Sequence, residues 1–295
     1  MSEDSSGFFG AVALVGVGLI GGSLGMSIKR NGLAERVIGV GRSEQRLMQA
    51  RILGAIDEYR IEAEDSVEDA DLVVICTPVR TIISKLRSFS GRLKPGAVVT
   101  DVGSTKREIM DAAAECIPEH ATFIGGHPMA GAEKSGVESS FPDLFLGATY
   151  VLTPTQSADL GALGRLTNLI EATGARVEVM SAEEHDRAVA VVSHLPHVIS
   201  AALLAQTESS AKSCSSIFRL TAGSFRDATR VSDSPPEIWR DICLSNADEI
   251  VRAIEDFQSW LHSMKDSLMD LDEKAVYDFF DSARSLRETA MRLRK

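Results

Sequence analysis

The sequence lacks the excess of basic residues that is typical of proteins that bind nucleic acids or anionic membrane surfaces. Its 295 residues carry 31 lysines and arginines against 42 aspartates and glutamates, a formal net charge of -11. A main partner of either kind needs a basic footprint on the protein, so we expect neither. An anionic ligand would have to be held by a local cluster of lysine and arginine.

Cysteine is scarce, and long apolar runs are missing. Four cysteines are spread along the chain without a C-x-x-C spacing, which fits neither a disulfide framework nor a cysteine-rich zinc site and indicates reduced thiols in a cytoplasmic protein. The first ten residues lack the basic start and apolar core of a secretion signal. No uninterrupted apolar run approaches the ~20 residues that span a bilayer, so we expect a soluble protein.

What the sequence does contain is an alternation of short apolar, β-rich runs with helical patterns over the first 180 residues. The runs are apolar almost continuously rather than at every second residue, as in strands that are covered on both faces. This alternation predicts a mainly parallel sheet with helices on both sides, an α/β fold. The predicted strands are residues 11–16, 37–40, 72–77, 97–102, 122–126, 148–152 and 176–179.

After residue 180 the pattern becomes helical throughout. Ser181 opens a capping box, and the apolar residues that follow recur at helical spacing. Breaks rich in glycine, serine and proline separate this helix from two more. The predicted helices are residues 181–206, 236–269 and 273–293. We therefore predict two domains, an α/β domain of residues 1–180 and an all-α domain of residues 181–295.

The glycine motif Gly16-Val17-Gly18-Leu19-Ile20-Gly21 follows the first strand directly and opens a helix, the context in which G-x-G-x-x-G predicts dinucleotide binding. Gly16 permits the tight turn, Gly18 lets the pyrophosphate approach, and Gly21 allows the helix to pack closely on the strand. Free N–H groups at the start of the helix, around Leu19 and Ile20, then meet the diphosphate. This predicts a Rossmann-type domain; the alternative is a glycine-rich turn without a ligand.

The end of the second strand bears on the choice of cofactor. NAD-binding units normally carry an acid there, about 20 residues beyond the glycines, which binds the ribose 2′-hydroxyl. Arg42 and Ser43 occupy that position, and Arg46 follows one helical turn later. A guanidinium and a hydroxyl suit a 2′-phosphate better, so the sequence favours NADP over NAD. Arg42 could instead stack on adenine in an NAD enzyme or face solvent.

Two more segments follow strands of the predicted sheet and are expected at the cofactor. Thr77-Pro78-Val79 follows the third strand, and the fourth strand ends near Asp101 with Ser104 shortly after it. Ligands of open α/β sheets bind outside the carboxyl ends of the strands. Ser104 can donate or accept a hydrogen bond there. Its alternative role is to cap the next helix, and Asp101 could be no more than a strand end.

The stretch GGHPMAG, residues 125–131, holds a single imidazole between glycines and a proline. Proline biases the preceding residue towards an extended backbone, so we expect His127 on a tight loop rather than inside a helix. A pKa near neutrality suits this side chain to moving a proton at physiological pH. The alternative is a loop histidine that only hydrogen-bonds its neighbours.

The helical half offers a pair of histidines and a group of arginines. His194 and His197 lie at i and i+3, with Pro196 expected to kink the helix between them; a metal site would need a third ligand that the spacing does not supply. We therefore predict no metal, and His197 as the better site residue. Arg226 and Arg230 are predicted to capture a carboxylate, unless they pair with nearby aspartates on a solvated face.

Six motifs, GVGLIGGS, CTPV, DVGSTK, GGHPMAG, SHLPH and GSFRDATR, followed by Trp239-Arg240-Asp241, resemble in order and spacing the TyrA family of prephenate and arogenate dehydrogenases. The resemblance runs from about residue 12 to the C-terminal helices. It implies a nucleotide-binding domain, a helical domain that forms a homodimer, and an active site in the cleft between them. It also implies oxidative decarboxylation of a cyclohexadienyl acid in tyrosine biosynthesis.

The resemblance implies roles for four residues. His127 matches the catalytic histidine that deprotonates the ring 4-hydroxyl, and Ser104 matches the serine that orients this hydroxyl and the histidine. His197 matches the second active-site histidine, and Arg230 the arginine that holds a substrate carboxylate. The chain departs from many NAD-using members at Gly41-Arg42, where they carry an aspartate, which leaves the cofactor open.

Other readings of the sequence are a nucleotide-sensing regulator without catalysis and a related hydroxyacid dehydrogenase. The second would usually place a lysine base on the interdomain helix, yet the helix after Ser181 has no lysine before Lys212. Because no helical segment precedes residue 11 and nothing follows the last helix, we expect a stand-alone dehydrogenase without a fused mutase or regulatory domain.

Overall fold

The computed structural model describes residues 9–61, 63–131 and 135–293. Eight strands lie in one sheet. In chain order they are β1 Phe9–Val15, β2 Ala34–Val40, β3 Glu58–Arg60, β4 Leu72–Ile75, β5 Val98–Asp101, β6 Thr122–Pro128, β7 Thr149–Pro154 and β8 Arg176–Val179.

Twelve α-helices lie in the described part of the chain. They are α1 Leu19–Arg30, α2 Glu44–Ile52, α3 Glu64–Val67, α4 Val79–Phe89, α5 Arg107–Cys116, α6 Leu160–Ala172, α7 Ala182–Val189, α8 Leu195–Ala211, α9 Gly223–Thr229, α10 Pro236–Ser245, α11 Ala247–Met269 and α12 Glu273–Leu293.

The sheet has the strand order β3-β2-β1-β4-β5-β6-β7-β8. Every neighbouring pair is parallel except β6 and β7, which pair antiparallel with His127 opposite Val151. The first six positions have the order of doubly wound dinucleotide-binding sheets, whose ligands bind at the carboxyl ends of the strands. A Rossmann-type sheet domain followed by helices confirms the predicted fold class.

Both faces of the sheet are covered, which explains why the strands are apolar almost continuously. One face packs Leu14 of β1 against Leu24 of α1 and Leu166 of α6. The other face packs Val15 of β1 against Ile82 of α4 and a side of α5. With helices on both sides, the carboxyl ends of the strands are left as the edge at which a site can form.

The structure corrects three local predictions. Strand β3, at the edge of the sheet, was not predicted from the sequence, because Glu58-Tyr59-Arg60 is short and polar. The helix predicted for residues 236–269 is broken at Asn246, whose backbone leaves the helical conformation with φ -131° and ψ 34°. His127 lies inside β6 rather than on a loop, because the extended backbone before Pro128 continues the pairing with β7.

Ser181 caps α7, because its side-chain hydroxyl accepts a hydrogen bond from the Glu184 N–H at 3.1 Å, as the capping box predicted.

The predicted kink near Pro196 takes the form of a widened helical turn. A π-helical turn, Ala190–His194, then separates α7 from α8. Pro196 lacks the N–H that an α-helix would use there, and such π turns are frequent at functional sites.

The chain divides into two compact units, residues 1–246 and 247–295. The first contains the sheet and the helices through α10. The second contains α11 and α12. The ring centroids of Trp260, on α11, and Phe279, on α12, are 6.5 Å apart. Many of the large apolar side chains of this unit are exposed, among them Trp260, Leu261, Leu268, Tyr277, Phe280 and Leu286. The predicted boundary after residue 180 stays a prediction.

One helical stretch of the described chain, Ala182–Ala211, is long and apolar enough by length and composition to cross a membrane, with a mean hydropathy of 1.8. A single stretch of this kind is a weak sign, since the core helix of a soluble protein passes the same test. The stretch contains His185, Asp186 and His194, which are buried and hydrogen-bonded within the first unit. A cytoplasmic location stays a prediction.

Candidate active site

The turn between β1 and α1 has the geometry that the glycine motif predicts. Gly16 has φ +100°, and a Cβ there would meet the Cys76 carbonyl oxygen at 2.9 Å. Gly21 faces the same turn, since its Cβ would lie 2.3 Å from the Gly16 carbonyl oxygen. Any side chain at either position would push α1 off the strand, so both glycines are needed for the turn itself.

The start of α1 opens onto a cavity of about 370 Å³. An added Cβ at Gly18 would meet nothing within 4 Å, so a ligand can approach the backbone there. Thr77 contributes a buried hydroxyl with no hydrogen-bond partner in the described chain. These features fit a dinucleotide. The structure brings six predicted cofactor residues together around this cavity: Gly18, Leu19, Ile20, Thr77, Pro78 and Val79.

Asp101 was predicted to contact the cofactor, but the structure places it in the interior of the protein. Its side chain is fully buried and accepts from the backbone N–H groups of Gly103 at 2.7 Å and Gly126 at 3.0 Å. The ammonium of Lys106, also fully buried, donates to Asp101 and, at 2.8 Å, to the Gly126 carbonyl oxygen. The carboxylate therefore ties the end of β5 to β6, beside His127, which is a structural role.

Arg42 and Ser43, the other predicted cofactor residues, lie in the loop between β2 and α2 and are exposed. The Ser43 hydroxyl accepts from the backbone N–H of Arg46 at 3.4 Å and so caps α2. Arg42 is positioned at the carboxyl end of β2, where the ribose of a dinucleotide is bound in this fold.

A larger cavity of about 860 Å³ lies next to the first. Ser104, Ala130, Gly131 and Ile242 line both cavities, so ligands in the two would share a wall. The larger cavity is also lined by His127, His197 and Arg230, which places four predicted site residues around one space. Arg226 lies one helical turn before Arg230 and is not among the described residues that line the cavity, so the structure places one of the two predicted arginines there.

Ser104 is not a helix cap. Helix α5 begins at Arg107, and Lys106 holds the N-cap position, two residues beyond Ser104. The alternative reading of this serine as a capping residue is therefore wrong. Ser104 lies instead in the wall common to both cavities.

His127 is 8% exposed and sits at the end of β6. Its Nδ1 lies 2.8 Å from Nε2 of His185 on α7. Burial holds the pKa of His127 well below its usual range, and the neighbouring titratable groups His185, Lys106 and His194 lower it further. The imidazole is therefore neutral at physiological pH, the form in which it can accept a proton.

His185 joins His127 to a carboxylate. Its Nδ1 lies 2.7 Å from Oδ1 of Asp186, and both residues are buried. The two imidazoles meet edge to face, with ring centroids 5.0 Å apart and planes at 74°. His127, His185 and Asp186 thus form a continuous hydrogen-bonded chain leading away from the cavity.

His197 and His194 differ in their surroundings. His197 stacks on Trp239 with ring centroids 3.6 Å apart, its Nδ1 lies 2.9 Å from the Ser193 carbonyl oxygen, and burial lowers its pKa. His194 is 1% exposed, lies 3.3 Å from the Asn246 side chain, and has its pKa lowered by burial to about 4. Both are neutral at physiological pH. Among the described residues no group of three or more His, Cys, Asp or Glu could hold a metal ion.

Sequence reasoning missed His185, Asp186 and Trp239 as members of this site. His185 and Asp186 stand in the first turn of a helix just behind its capping box, where polar residues are ordinary. Trp239 stands in the sequence as one residue of the motif Trp239-Arg240-Asp241, and nothing in that motif indicates that it stacks on His197. No spacing in the sequence pairs His185 with His127, because 58 residues separate them.

A doubly wound sheet with an open glycine turn, next to a cavity lined by three neutral histidines and an arginine, defines a nicotinamide-dependent oxidoreductase. The family model for the prephenate dehydrogenase nucleotide-binding domain matches residues 24–179, and that for the prephenate dehydrogenase dimerization domain matches residues 181–282. The chain belongs to the prephenate dehydrogenase (TyrA) family, as its motifs predicted.

Individual relatives agree. The chain is 37% identical over 278 residues to prephenate dehydrogenase of Bacillus subtilis (strain 168), covering 94% of this chain and 75% of that protein. It is similar to the crystal structure of Aquifex aeolicus prephenate dehydrogenase in complex with hydroxyphenyl propionate and NAD+, with TM-score 0.89, 34% identity and coverage of 95% and 98%. Synechocystis arogenate dehydrogenase gives TM-score 0.85, 29% identity and coverage of 95% and 99%.

Proposed function

We propose that this chain catalyses the oxidative decarboxylation of prephenate to 4-hydroxyphenylpyruvate, of arogenate to tyrosine, or of both, as a step of tyrosine biosynthesis. The observation that carries the proposal is the single cavity in which Ser104, His127, His197 and Arg230 meet, with Ser104 also in the wall of the nucleotide cavity. Membership of the family and the match to a structure with NAD+ support it.

The residues of the site suit each part of this reaction. His127 takes the proton of the ring 4-hydroxyl while a hydride leaves ring carbon 4, so that this carbon becomes a carbonyl. When bound, the nicotinamide supplies the hydride acceptor. Loss of carbon dioxide from ring carbon 1 then aromatises the ring, and the carbonyl oxygen regains a proton as a phenol.

The remaining side chains position the substrate. Ser104 is placed to hydrogen-bond the 4-hydroxyl from the wall between the two cavities. Arg230 is placed to bind a carboxylate through two parallel N–H contacts. His197 stacks on Trp239 and provides a neutral polar side chain in the wall of the cavity. Aligning ring carbon 4 with the cofactor and neutralising carboxylates are tasks of positioning and electrostatics.

A kinetic matrix of prephenate and arogenate against NAD and NADP tests this function. Formation of NAD(P)H absorbance with one acid or both is the expected result. No turnover with any of the four pairs, from a protein that binds the nucleotide, would favour a nucleotide-sensing regulator instead. That alternative leaves the neutral base and the arginine of the larger cavity without a purpose.

The choice between NADP and NAD depends on Arg42 in this proposal. We propose a preference for NADP, because this exposed guanidinium stands at the carboxyl end of β2 in place of an acid. Arg42→Asp is expected to lower kcat/KM for NADP by about 10- to 100-fold, the loss of a hydrogen-bonded charge pair, and to improve the relative use of NAD. Initial rates with both nucleotides measure the effect.

Arg51→Asp is the matched control for this substitution, since it makes the same change of charge in the last turn of α2. It should leave the ratio of the two kcat/KM values within about twofold of the original, because surface charges at a distance are screened. A clear preference of the unmodified protein for NAD would overturn the assignment of Arg42.

We also propose a homodimer formed through the helical part of the chain. The dimerization-domain match covers residues 181–282, and the unit of α11 and α12 leaves large apolar side chains exposed. Exposed apolar surface of this extent is typical of an interface. Light scattering on a gel-filtration column is expected to give twice the mass of one chain at micromolar concentration, and a monomer there would contradict the proposal.

A further inference from the structure

Asp186 is the most heavily hydrogen-bonded carboxylate beside the site. It accepts from the backbone N–H groups of Lys106 at 2.8 Å and Arg107 at 3.0 Å, at the start of α5, and from Nε of Arg107 at 3.4 Å. Burial alone would raise the pKa of Asp186, but the hydrogen bonds from His185, Arg107 and Lys106 outweigh it and lower the pKa. Asp186 is therefore ionised at neutral pH.

An ionised carboxylate can only accept hydrogen bonds, which fixes where the protons of the neighbouring imidazoles lie. Nδ1 of His185, 2.7 Å from Asp186, must carry a proton. An imidazole that carries one proton, on Nδ1, accepts at its other nitrogen, Nε2. Nδ1 of His127, 2.8 Å from that nitrogen, must then be the donor, and this leaves Nε2 of His127 without a proton.

We propose that His185 and Asp186 are positioning residues that fix His127 in the tautomer with its proton on Nδ1, so that Nε2 is the nitrogen that receives the substrate proton. The inference rests on the proposed function, in which His127 is the base. The arrangement follows the logic of catalytic triads, in which a third group sets the tautomer and orientation of the histidine.

The same carboxylate also holds the segment that carries Ser104. Its two backbone contacts, to Lys106 and Arg107, lie two and three residues beyond Ser104 in the chain. Asp186 thus anchors the hydroxyl that orients the substrate and, through His185, the base that deprotonates it. One buried group on α7 thus sets the position of Ser104, which follows β5, relative to His127 on β6.

Two substitutions of His185 separate positioning from mere packing. His185→Phe keeps the ring volume but removes the acceptor for His127, so kcat is expected to fall about 10- to 100-fold while KM changes less than about threefold. His185→Gln restores an acceptor, the side-chain carbonyl oxygen, and is expected to recover most of the lost kcat. Equal kcat for the Phe variant and the unmodified enzyme, or equal losses for two folded variants, would overturn the proposal.

The tautomer can be observed without any turnover. In protein labelled with ¹⁵N-histidine, NMR of the imidazole nitrogens is expected to show His127 protonated on Nδ1, with the resonance identified by its loss in His127→Asn. The control is His120→Gln, which should leave the signal unchanged. Nε2 of His120 lies 2.9 Å from the Leu93 carbonyl oxygen, outside the hydrogen-bonded chain of His127, His185 and Asp186. A proton on Nε2 of His127 would overturn the proposal even if neither His185 variant folded.

These readouts keep the two proposals apart. If the tautomer is as proposed but His127→Asn retains full activity, the assignment of His127 as base fails and the positioning of its ring by His185 stands. If His127 proves essential but carries its proton on Nε2, the positioning proposal fails and the proposed function stands.

Discussion

Replacing His127 by asparagine is expected to lower kcat at least ~100-fold, the usual contribution of a general base. The amide nitrogen of asparagine can still donate to His185 in place of Nδ1, so the local structure should persist while the proton acceptor is lost. NAD(P)H absorbance under saturating substrate gives kcat directly. Because the substrate contacts of Ser104 and Arg230 remain, KM is expected to change little.

Arg230→Ala is the contrasting variant for this experiment. It removes a carboxylate contact that is made before the chemical step, so its main expected effect is on KM rather than on kcat. If His127→Asn kept kcat within about fivefold of the unmodified enzyme, His127 would have no part in proton transfer.

The pH dependence of kcat/KM should follow the same histidine. Burial lowers the pKa of His127, and the titratable groups that face it, His185, Lys106 and His194, lower it further. Protonation removes the base, so a lowered pKa keeps the active form populated to lower pH. The acid limb is therefore expected below about pH 6.5, the ordinary imidazole value, and a limb at or above that value would contradict the assignment.

Asp101→Ala is expected to cost about 3–5 kcal/mol of the free energy of unfolding, because it leaves the buried ammonium of Lys106 without its counter-charge. Both side chains are 0% exposed, so water cannot replace the lost contact. The backbone N–H groups of Gly103 and Gly126 lose their acceptor as well. Denaturant unfolding at a fixed protein concentration measures the loss.

The double variant Asp101→Ala with Lys106→Met provides the control. Removing the second charge relieves the unpaired ammonium, so the double variant should be more stable than Asp101→Ala alone, with the difference given by a double-mutant cycle. A loss below about 1 kcal/mol for Asp101→Ala would mean that the ion pair contributes little, and that the junction of β5 with β6 is held by other contacts.

The parts of the site that sequence could predict are those set by local backbone chemistry. Gly16 and Gly21 are required by the shape of one turn, whatever the rest of the chain does, and an N–H-rich helix start after a strand implies a phosphate site. Ser104 and His127 follow from the rule that parallel strands present their carboxyl ends together. Each of these inferences needs only a strand and the few residues after it.

What sequence could not predict depends on contacts between distant segments. His127 was expected on a loop because glycines and a proline surround it, but β7 lies alongside and continues the ladder. Asn246 breaks a helix that periodicity extends, and its side chain binds the Asp186 carbonyl oxygen at 2.8 Å, 60 residues away. Asp101 looked like a ligand of the cofactor because nothing in its neighbourhood reveals that Lys106 folds back onto it.

The reversal of direction between β6 and β7 has a consequence for how such enzymes can change. A parallel neighbour would have required a crossover helix and carried the chain away from the site edge. The antiparallel neighbour instead lets the chain leave β6 and enter β7 at that same edge, and Ala130 and Gly131, just after β6, line both cavities. Since lengthening a loop costs little entropy, a change of length in this connection would alter the walls of both cavities while the strand register, the nucleotide turn and the buried ion pair stay as they are.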